Sequence, residues 1–332
     1  MQTRKLGPFE VSAIGFGCMS LSHAYGTPPD EATAARVLEG SLEAGYSFLD
    51  TASLYGFGAN ETLVGRVLKH RRQDYVLASK CGMTGVNGVR VIDGRPETLK
   101  RTCDESLQRL QTDVIDLYYL HRLDPKVPIE DSAGALGELV AAGKVRTIGL
   151  SEVSAETLRR AHAVHPVTAL QTEYSLWTRN PEVAVLDACA ELGVTFVAFS
   201  PVARGYLTGK LRDLSALEPR DIRRGMPRFQ DTHWPANLAL LDGFAEAARE
   251  AGCSMAQLAL AWLLARRPFI VPIPGTTRLD HLQENAGAAE VALSPGQVAH
   301  LDSLINPRTV SGPRYPAATQ VEIDTEELPA AG

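Results

Sequence analysis

Three ionisable residues of this sequence each stand at the carboxyl end of a short, apolar, strand-like run. They are Asp50, Lys80 and His121, and a tyrosine, Tyr55, follows the first of them closely. In a barrel of parallel strands, the carboxyl ends of all strands lie on one face, where residues distant in sequence meet. We therefore expect these four side chains to form a single site.

The four residue types together suit proton donation to a carbonyl group that accepts a hydride. Such a carbonyl needs a proton on its oxygen, and a phenol with its ordinary pKa near 10 is a poor donor at neutral pH. A neighbouring ammonium lowers the phenol pKa because it favours the phenolate. Lys80 suits that task, and Asp50 would hold Lys80 charged and oriented. His121 would hydrogen-bond the substrate oxygen, and Tyr55 would be the acid.

Each of these residues, taken alone, also fits an ordinary structural role. Asp50 would cap the turn that follows it, and Lys80 would be a solvated charge. His121 would be a hydrogen-bonded histidine and Tyr55 a packing residue. Their joint placement at the predicted catalytic face of a barrel favours chemistry over four independent structural roles.

Eight short apolar runs alternate with amphipathic segments, after an opening that is typical of a β-hairpin around Gly7 and Pro8. Most runs lack polar alternation, as expected of strands buried on both faces. The predicted strands are 14–18, 46–50, 75–80, 115–121, 145–151, 167–171, 194–200 and 269–274. The predicted helices are 30–44, 60–69, 95–110, 129–142, 154–163, 181–192 and 234–251. This α/β pattern favours a (β/α)8 TIM barrel over a doubly wound sheet, which more often has fewer strands.

Two segments depart from a minimal barrel, which we otherwise expect to be a single domain over 1–332. The connection 201–232, after the seventh strand, is long and contains several glycines and prolines, so it is a candidate lid or ligand loop. The segment 306–332 lacks periodicity. We expect it to form an irregular C-terminal tail that wraps over the barrel mouth or is partly mobile.

Composition and charge disfavour several classes of function. The 332 residues are 45% hydrophobic and 22% charged, which is typical of a globular protein and not of a disordered one. A net charge of -6 with dispersed basic residues disfavours nucleic acid as a partner. The five cysteines are scattered without a Cys-x-x-Cys pair, so we predict reduced thiols and no metal site. No signal-like or membrane-spanning run is present, and we predict a cytoplasmic protein without a membrane partner. The sequence leaves the oligomeric state open.

A phosphate-binding loop is predicted after the eighth strand. The glycine-rich stretches 15–20 and 56–61 both lack the third glycine of a Rossmann fingerprint, so a dinucleotide must be held differently. The segment 273–278 enters a helix and offers backbone amides, two hydroxyls and the guanidinium of Arg278. Arg278 suits a 2′-phosphate and therefore predicts NADPH. Thr276 or Thr277 also fits a helix cap, a role that is compatible with binding.

The chain resembles the aldo-keto reductase family, and most closely its bacterial and fungal branch of aldehyde reductases of the aryl-alcohol dehydrogenase-like type. The resemblance covers residues 3 to about 316. The motifs that carry it are Asp50-Thr51-Ala52-Ser53-Leu54-Tyr55-Gly56, Asn60-Glu61, Lys80, Tyr118-Tyr119-Leu120-His121-Arg122, Gly143-Lys144-Val145-Arg146, Gly149-Leu150-Ser151, Gln171-Thr172-Glu173-Tyr174-Ser175, Phe199-Ser200-Pro201, Arg204-Gly205-Tyr206-Leu207-Thr208-Gly209, Ile273-Pro274-Gly275-Thr276 and Glu284-Asn285.

The resemblance implies a role for most of these residues. Tyr55 would be the proton donor, completed as a tetrad by Asp50, Lys80 and His121. Ser151 and Gln171 would bind the nicotinamide carboxamide, Phe199 would stack on its ring, 200–210 would cover the pyrophosphate, and the loop after the eighth strand would bind the adenosine end. The expected cofactor-binding residues are Gly17, Cys18, Met19, Asp50, Ser151, Gln171, Phe199, Ser200, Pro201, Val202, Arg204, Gly205, Leu207, Lys210, Gly275, Thr276, Thr277, Arg278, Glu284 and Asn285.

Three positions depart from the family pattern. Glu152 stands where many members carry Asn beside the carboxamide, so that contact is expected to be made differently or not at all. Phe199 replaces a frequent Tyr or Trp, which keeps stacking and removes a polar group. Gly275 replaces a Lys and His281 an Arg of the branch typified by aldose reductase, which leaves Arg278 as the main cation.

The leading interpretation is an NADPH-dependent reductase of aldehydes or ketones. The candidate substrate pocket comprises Leu54, Tyr55, His121, Trp177, Trp234 and Tyr315. One alternative is a dinucleotide-binding regulatory subunit that senses redox state with little turnover, as potassium-channel beta subunits in this family do. Another is a barrel lyase in which Lys80 forms a Schiff base with a carbonyl substrate.

Overall fold

The eight predicted strands form one parallel sheet whose strand order follows the chain. The computed structural model describes residues 1–86 and 89–328. The strands of this sheet are β3 (Phe16–Gly17), β4 (Phe48–Asp50), β5 (Val76–Cys81), β8 (Ile115–Leu120), β9 (Val145–Ser151), β10 (Val167–Glu173), β11 (Thr195–Phe199) and β12 (Ile270–Pro272). Each strand pairs in parallel with the strand before and after it in this series.

Backbone hydrogen bonds between the first and last strands close the sheet into a barrel. The amide of Gly15 donates to the carbonyl of Pro272 at 2.9 Å, and the amide of Gly17 donates to that of Pro274 at 3.2 Å. A Cβ at Gly17 would lie 2.9 Å from the carbonyl oxygen of Ile273, so this close approach requires glycine. The predicted (β/α)8 barrel is confirmed.

A β-hairpin closes the amino-terminal end of the barrel. Its strands are β1 (Thr3–Leu6) and β2 (Phe9–Ser12), as predicted from the opening residues. Leu6 and Val11 of the hairpin belong to the same buried cluster as Phe48, Leu117 and Val197 of the barrel strands. The hydroxyl of Thr195, the first residue of β11, donates to the hairpin carbonyl of Lys5 at 3.2 Å. Chemistry must therefore use the opposite end, where the strands finish.

Helices cover the outside of the barrel. The described residues contain α1 (Glu31–Glu43), α2 (Ala59–Leu68), α3 (Pro96–Leu110), α4 (Ile129–Ala141), α5 (Ala155–Val164), α6 (Val185–Leu192), α7 (Trp234–Glu250), α8 (Met255–Arg266), α9 (Leu279–Gly287), α10 (Pro295–Leu304) and α11 (Ala317–Gln320). Side-chain caps begin several of them, as Asp30 does for α1 and Ser154 for α5. The seven predicted helices are confirmed, although α6 begins four residues later than predicted, at Val185.

Four elements were not predicted, and one of them is the short helix α11 in the tail, which was expected to be irregular. The helix α8 is buried along most of its length and apolar on nearly every side, so it lacks the amphipathic period that marks a surface helix. The helix α10 begins at Pro295 behind a capping box formed by Ser294 and Gln297. A second hairpin, β6 (Met83–Val86) with β7 (Val89–Ile92), follows β5 at the carboxyl end of the barrel.

The long connection and the tail both lie at the carboxyl ends of the strands. The connection 201–232, described in full, contains short 3₁₀ turns and no strand. The tail from 306 returns across the barrel mouth, where the amide of Asp324 donates to the carbonyl of Glu152 at 3.0 Å. The last predicted tail residues, 329–332, lie outside the described residues.

The structure also bears on membrane and thiol chemistry. In the described part of the chain, no helix is both long and apolar enough to cross a membrane. All five cysteines lie in that part, and each is a free thiol.

Candidate active site

A cavity of about 980 Å³ opens at the carboxyl ends of the strands. This volume is at the upper end of the roughly 300–1,000 Å³ that small-molecule sites occupy. Its lining, as the described residues define it, comes from the turns after most barrel strands, from β7, from the long connection and from the tail. Asp50, Tyr55 and His121 line the cavity, and Lys80 lies buried beneath it.

Lys80 is held from three sides in the wall of the barrel. Its Nζ donates to Oδ1 of Asp50, to the carbonyl of Thr51 at 2.8 Å and to the hydroxyl oxygen of Tyr55 at 3.2 Å. Both Lys80 and Asp50 are almost fully buried. The ammonium group therefore uses its hydrogen bonds on protein oxygens and is fixed in orientation.

Asp50 and Lys80 stabilise each other's charged form. Burial raises the pKa of Asp50, and the charge of Lys80 and a hydrogen bond from Nε2 of Gln171 at 2.7 Å oppose that rise. Burial lowers the pKa of Lys80, but the charge of Asp50, the phenol of Tyr55 and the hydrogen bonds to both outweigh that effect, so that the pKa lies above its ordinary value. Lys80 therefore keeps its proton at neutral pH, as the sequence predicts.

Tyr55 lies in a tight turn that directs its phenol towards Lys80. The two residues that follow, Gly56 and Phe57, have φ angles of 57° and 53°. Glycine adopts such an angle freely, whereas for Phe57 it is a strained conformation of the kind that is common at functional sites. Burial raises the pKa of Tyr55, and Lys80 lowers it by a smaller amount. The influence of Lys80 thus has the predicted direction but does not dominate, and the phenol is protonated at neutral pH.

His121 faces Tyr55 across the cavity floor. The two rings stand edge to face, with centroids 5.8 Å apart and an interplanar angle of 85°. Burial, followed by the charges of Arg122 and Lys80, holds the pKa of His121 well below its ordinary value, so the imidazole is neutral. Among the described residues, its Nδ1 has no hydrogen-bond partner. A neutral imidazole with unused hydrogen-bonding capacity can bind a substrate oxygen.

The Asn60-Glu61 pair of the motif supports the site from the start of α2. Nδ2 of Asn60 donates to the carbonyl of Cys18 at 2.9 Å, and the hydroxyl of Thr51 donates to its Oδ1 at 2.6 Å. Glu61 accepts from the hydroxyl of Ser79, next to Lys80, and from Nε of Arg109 at 2.7 Å. These bonds fix the turns after β3 and β4 relative to β5.

Most of the expected cofactor residues lie along one continuous surface of the cavity. Those that line it are Gly17, Met19, Asp50, Ser151, Gln171, Phe199, Ser200, Pro201, Val202, Arg204, Gly205, Lys210, Gly275, Thr276, Thr277, Arg278, Glu284 and Asn285. Cys18 and Leu207 are fully buried and are not part of this lining, so they can act only through the positions of their neighbours.

The far end of the cavity has the chemistry of a phosphate site. The helix α9 begins directly after Arg278, and helix N-termini favour anions. Lys210, from the long connection, lies 3.0 Å from Nε2 of His281. Arg278 is exposed and pairs with Asp280 at 2.6 Å. Oγ of Ser20, also in the lining, is buried without a partner among the described residues. Together these residues fit a bound dinucleotide.

Glu152 does not contribute to the cavity lining that the described residues form. It has a φ of 57° and is fully buried beside β10. Its Oε1 accepts from the amide of Glu173 at 2.9 Å and from Nη2 of Arg314 in the tail. The carboxylate of Glu152 is therefore bonded by Glu173 and Arg314, while Ser151 and Gln171 remain in the cavity lining.

The proposed substrate residues divide into two groups. Leu54, Tyr55, His121 and Tyr315 line the cavity. Trp177 and Trp234 do not line the cavity, because they pack in an aromatic cluster beneath the long connection. The prediction that they form pocket walls is therefore wrong. Trp177 stacks on Tyr206 with centroids 4.1 Å apart, and Trp234 packs on the same tyrosine and on Phe229.

Sequence reasoning missed several arginines at this end of the barrel, among them Arg122 and Arg314. Arg122 lines the cavity, and its Nη1 donates to the carbonyl of His121 at 2.6 Å and to Oγ of Ser151 at 3.2 Å. Its place directly after His121 in the motif is a signal that was available. Arg314 lies in a segment without periodicity, and no sequence signal indicates its partners.

The barrel and the buried Asp, Tyr, Lys and His at its carboxyl end define the class of a barrel oxidoreductase. The aldo/keto reductase family matches residues 13–306, and the chain belongs to this family. It is accordingly an oxidoreductase that acts on carbonyl compounds.

Two relatives match nearly the whole chain. Aldo-keto reductase str7 of Strobilurus tenacellus is 42% identical to this chain, and the alignment covers 99% of each of the two chains. Aldo-keto reductase yakc [NADP(+)] of Schizosaccharomyces pombe is 43% identical and is covered over 98% of both chains.

Solved structures show the same fold. The glycerol dehydrogenase AKR11B4 from Gluconobacter oxydans has a TM-score of 0.85 and 27% identity, covering 95% of this chain and 98% of its own. The holo form of aldo-keto reductase AKR11C1 from Bacillus halodurans has a TM-score of 0.77 and 32% identity, covering 92% of this chain and 97% of its own.

Proposed function

We propose that this protein reduces aldehydes or ketones to alcohols with NADPH, and that Tyr55 donates the proton. The observation that carries the proposal is the 3.2 Å hydrogen bond from Lys80 to the phenol of Tyr55, in a lysine that Asp50 holds in place. Lys80 donates to the phenol oxygen, which leaves the phenolic proton available to a substrate in the cavity.

The residues of this chain divide the work of carbonyl reduction between them. The dinucleotide supplies a hydride to the carbonyl carbon when it is bound. Negative charge then develops on the carbonyl oxygen, where neutral His121 donates a hydrogen bond and Tyr55 transfers its proton. The phenolate that remains is stabilised by the ammonium of Lys80, whose own charge is balanced by Asp50.

We propose that the cofactor lies along the line of cavity residues from Ser151 to Arg278. Ser151 and Gln171 would bind the carboxamide, and Phe199 would stack on the nicotinamide. Arg278 and Lys210 would bind phosphate groups near the start of α9. The naming of yakc as an NADP(+) enzyme supports NADPH over NADH.

The Schiff-base alternative fits the site poorly. Lys80 is fully buried, is not part of the cavity lining and has a raised pKa, whereas an amine nucleophile must be neutral and must reach its substrate.

We also propose a cytoplasmic location for the protein. Leu54 and Tyr315, which line the cavity, are proposed as walls of the substrate pocket.

The test is consumption of NADPH by the purified protein with a panel of aromatic and aliphatic aldehydes and ketones. Parallel reactions use NADH and the Tyr55→Phe variant. Tyr118→Phe is a matched control. Tyr118 is a buried tyrosine on β8, the strand that ends next to His121, and it lies outside the cavity lining. We expect turnover that prefers NADPH and requires the Tyr55 hydroxyl.

Two results would contradict the proposal. Equal turnover by wild type and Tyr55→Phe would remove the assigned proton donor. Tight NADPH binding without turnover on any carbonyl would instead favour the redox-sensing regulatory subunit.

A further inference from the structure

A second group of buried charges lies beside the proposed nicotinamide position. Its members are Glu152, Glu173, Arg204 and Arg314, all nearly inaccessible to solvent. Oε2 of Glu173 accepts from Arg204 at 2.7 Å and from Nε of Arg314 at 3.0 Å. Arg314 also donates to Glu152. We call these four residues the mouth network.

The mouth network joins four separate segments of the chain. Glu152 follows β9, Glu173 ends β10, Arg204 belongs to the long connection and Arg314 belongs to the tail. Each arginine bonds Glu173, so the tail and the long connection are held through the same carboxylate. Burial raises the pKa of Glu173, but Arg204 and Arg314 outweigh it and lower the pKa to about 2. The carboxylate is therefore charged at neutral pH.

Tyr315 is held directly by the two arginines of the mouth network. Nη2 of Arg204 donates to its hydroxyl at 3.1 Å, and the guanidinium carbons of Arg204 and Arg314 lie 5.4 Å and 4.7 Å from its ring centroid. The same Arg314 lies 5.9 Å from the ring centroid of Phe199. Tyr315 lines the cavity that also contains Tyr55. The position of the Tyr315 ring is thus set by the guanidinium groups of Arg204 and Arg314.

We propose that Glu152 and Arg314 are positioning residues that hold Tyr315 as a wall of the substrate pocket, where its ring would pack against aromatic carbonyl substrates. This inference rests on the proposed reductase function. It assigns a role to the position where the family resemblance predicts Asn. A carboxylate buried there needs a buried cation, which the tail supplies, so Glu152 and the tail are matched to each other.

Before Arg314 the tail is held by the fully buried Asn237, which bonds the amide and the carbonyl of Ser311 at 2.8 Å and 3.0 Å. The contacts after Tyr315 lie nearer the surface. Arg90 of the second hairpin pairs with Glu322, and both side chains are partly exposed. Asp324 accepts from the hydroxyl of Thr157 at 2.6 Å and from the amide of Ser154 at 3.1 Å, at the start of α5. Exposed pairs contribute little because water screens them, whereas a buried pair with several hydrogen bonds is costly to break. Arg314 is therefore the contact that should hold the part of the tail after Ser311 next to the cavity.

The test compares Arg314→Met with Arg308→Met, an exposed arginine of the same tail. Hydrogen exchange of the tail is measured without cofactor or substrate. The amides to follow are those of Gln320 and Asp324, which donate to the carbonyls of Pro316 and Glu152 at 3.0 Å each. For Arg314→Met we expect these amides to exchange at least roughly tenfold faster, the change that about 1.4 kcal/mol of lost local stability produces. Arg308→Met should leave that exchange unchanged.

Steady-state kinetics then separate positioning from a merely structural role. In Arg314→Met we expect KM for an aromatic aldehyde to rise about tenfold, with KM for a short aliphatic aldehyde, kcat and NADPH affinity unchanged within about twofold. Arg314→Lys keeps the charge without the planar fork that reaches both carboxylates, so an intermediate rise is expected. An equal rise in KM for both aldehydes, or unchanged exchange of the tail, would overturn the inference.

The double variant Glu152→Gln/Arg314→Met guards against simple misfolding. It removes one charge of each sign, so it should fold even where Arg314→Met alone does not, and it should show the same fast tail exchange and the same selective rise in KM. Tail exchange needs no turnover. A wild type without reductase activity but with a tail that Arg314 protects would thus contradict the proposed function and leave the anchoring of the tail established.

Discussion

Two groups of buried charges stand at the same end of the barrel and serve opposite purposes. In the first, Lys80 pairs with Asp50 and also bonds the phenol of Tyr55, which lines the cavity. In the second, the mouth network, Glu173 accepts from both Arg204 and Arg314, so its carboxylate is paired within the protein. The first group keeps a proton available to a substrate, and the second holds the tail and Tyr315 in place beside the cavity.

The titration of the two groups shows the same difference. Tyr55 and His121 are each neutral near pH 7, one because burial raises its pKa and the other because burial lowers it. A neutral acid and a neutral hydrogen-bond donor are what a developing oxyanion requires. Glu173 has its pKa lowered to about 2 and stays charged.

The largest expected effect is on turnover by Tyr55→Phe. Loss of the proton donor should lower kcat by about 10²- to 10⁴-fold, the contribution of general acid catalysis, without changing the free energy of unfolding appreciably. Steady-state kinetics and denaturant unfolding of the same preparation measure both quantities. A comparable fall in NADPH affinity would place Tyr55 in cofactor binding instead.

Glu173→Gln should have the reverse profile. The amide has the shape of the carboxylate but leaves Arg204 and Arg314 with the single charge of Glu152, and breaking a buried pair costs about 3–5 kcal/mol of unfolding free energy. Turnover at low temperature should persist because Tyr55 and Lys80 are untouched. The control is Glu191→Gln, which removes an exposed partner of Arg159 and should change stability little. A Glu173→Gln protein as stable as wild type would contradict the structural role that we assign to the mouth network.

The third prediction concerns pH and His121. The pKa of His121 is far below the ordinary 6.5 in the folded protein and returns to it on unfolding. Below about pH 6.5 the unfolded chain therefore binds one more proton than the folded protein. The contribution of neutral His121 to the free energy of unfolding is fully present above this pH, and it falls by up to about 1.4 kcal/mol for each pH unit below it.

Replacement of His121 tests this pH dependence. The variant His121→Gln should lose less stability between pH 6.5 and 5 than wild type, as measured by denaturant unfolding across that range. The exposed His70→Gln is the matched control and should follow the wild-type curve. Parallel curves for wild type and His121→Gln would mean that His121 is not buried in its neutral form.

The smallest effect is expected for Arg278→Ala. Arg278 is exposed and already paired with Asp280, so we expect its loss to weaken NADPH binding by only about fivefold, the scale of an exposed ion pair, and NADH binding hardly at all. Arg212→Ala, another exposed arginine paired with an aspartate, controls for lost surface charge. Equal weakening of NADPH and NADH binding would place the 2′-phosphate elsewhere.

Local patterns predicted those parts of the site that a strand carries to its end. The apolar runs before Asp50, Lys80 and His121 become β4, β5 and β8, and parallel pairing brings their ends together. Trp177 and Trp234 were predicted from residue type instead, and that prediction was wrong because residue type alone does not tell whether an aromatic side chain faces the cavity or the aromatic cluster.

The sequence by itself determined the barrel, its eight strands and the residues that could exchange a proton with a substrate, because these depend on periodicity and residue type over short distances. Only the tertiary structure decided that burial outweighs Lys80 in setting the pKa of Tyr55, and that Glu152 turns from the cavity towards Arg314. Desolvation and ion pairing depend on which distant segments approach each other. Arg314 lies 162 positions after Glu152 in a segment without periodicity, so no local pattern encodes their contact.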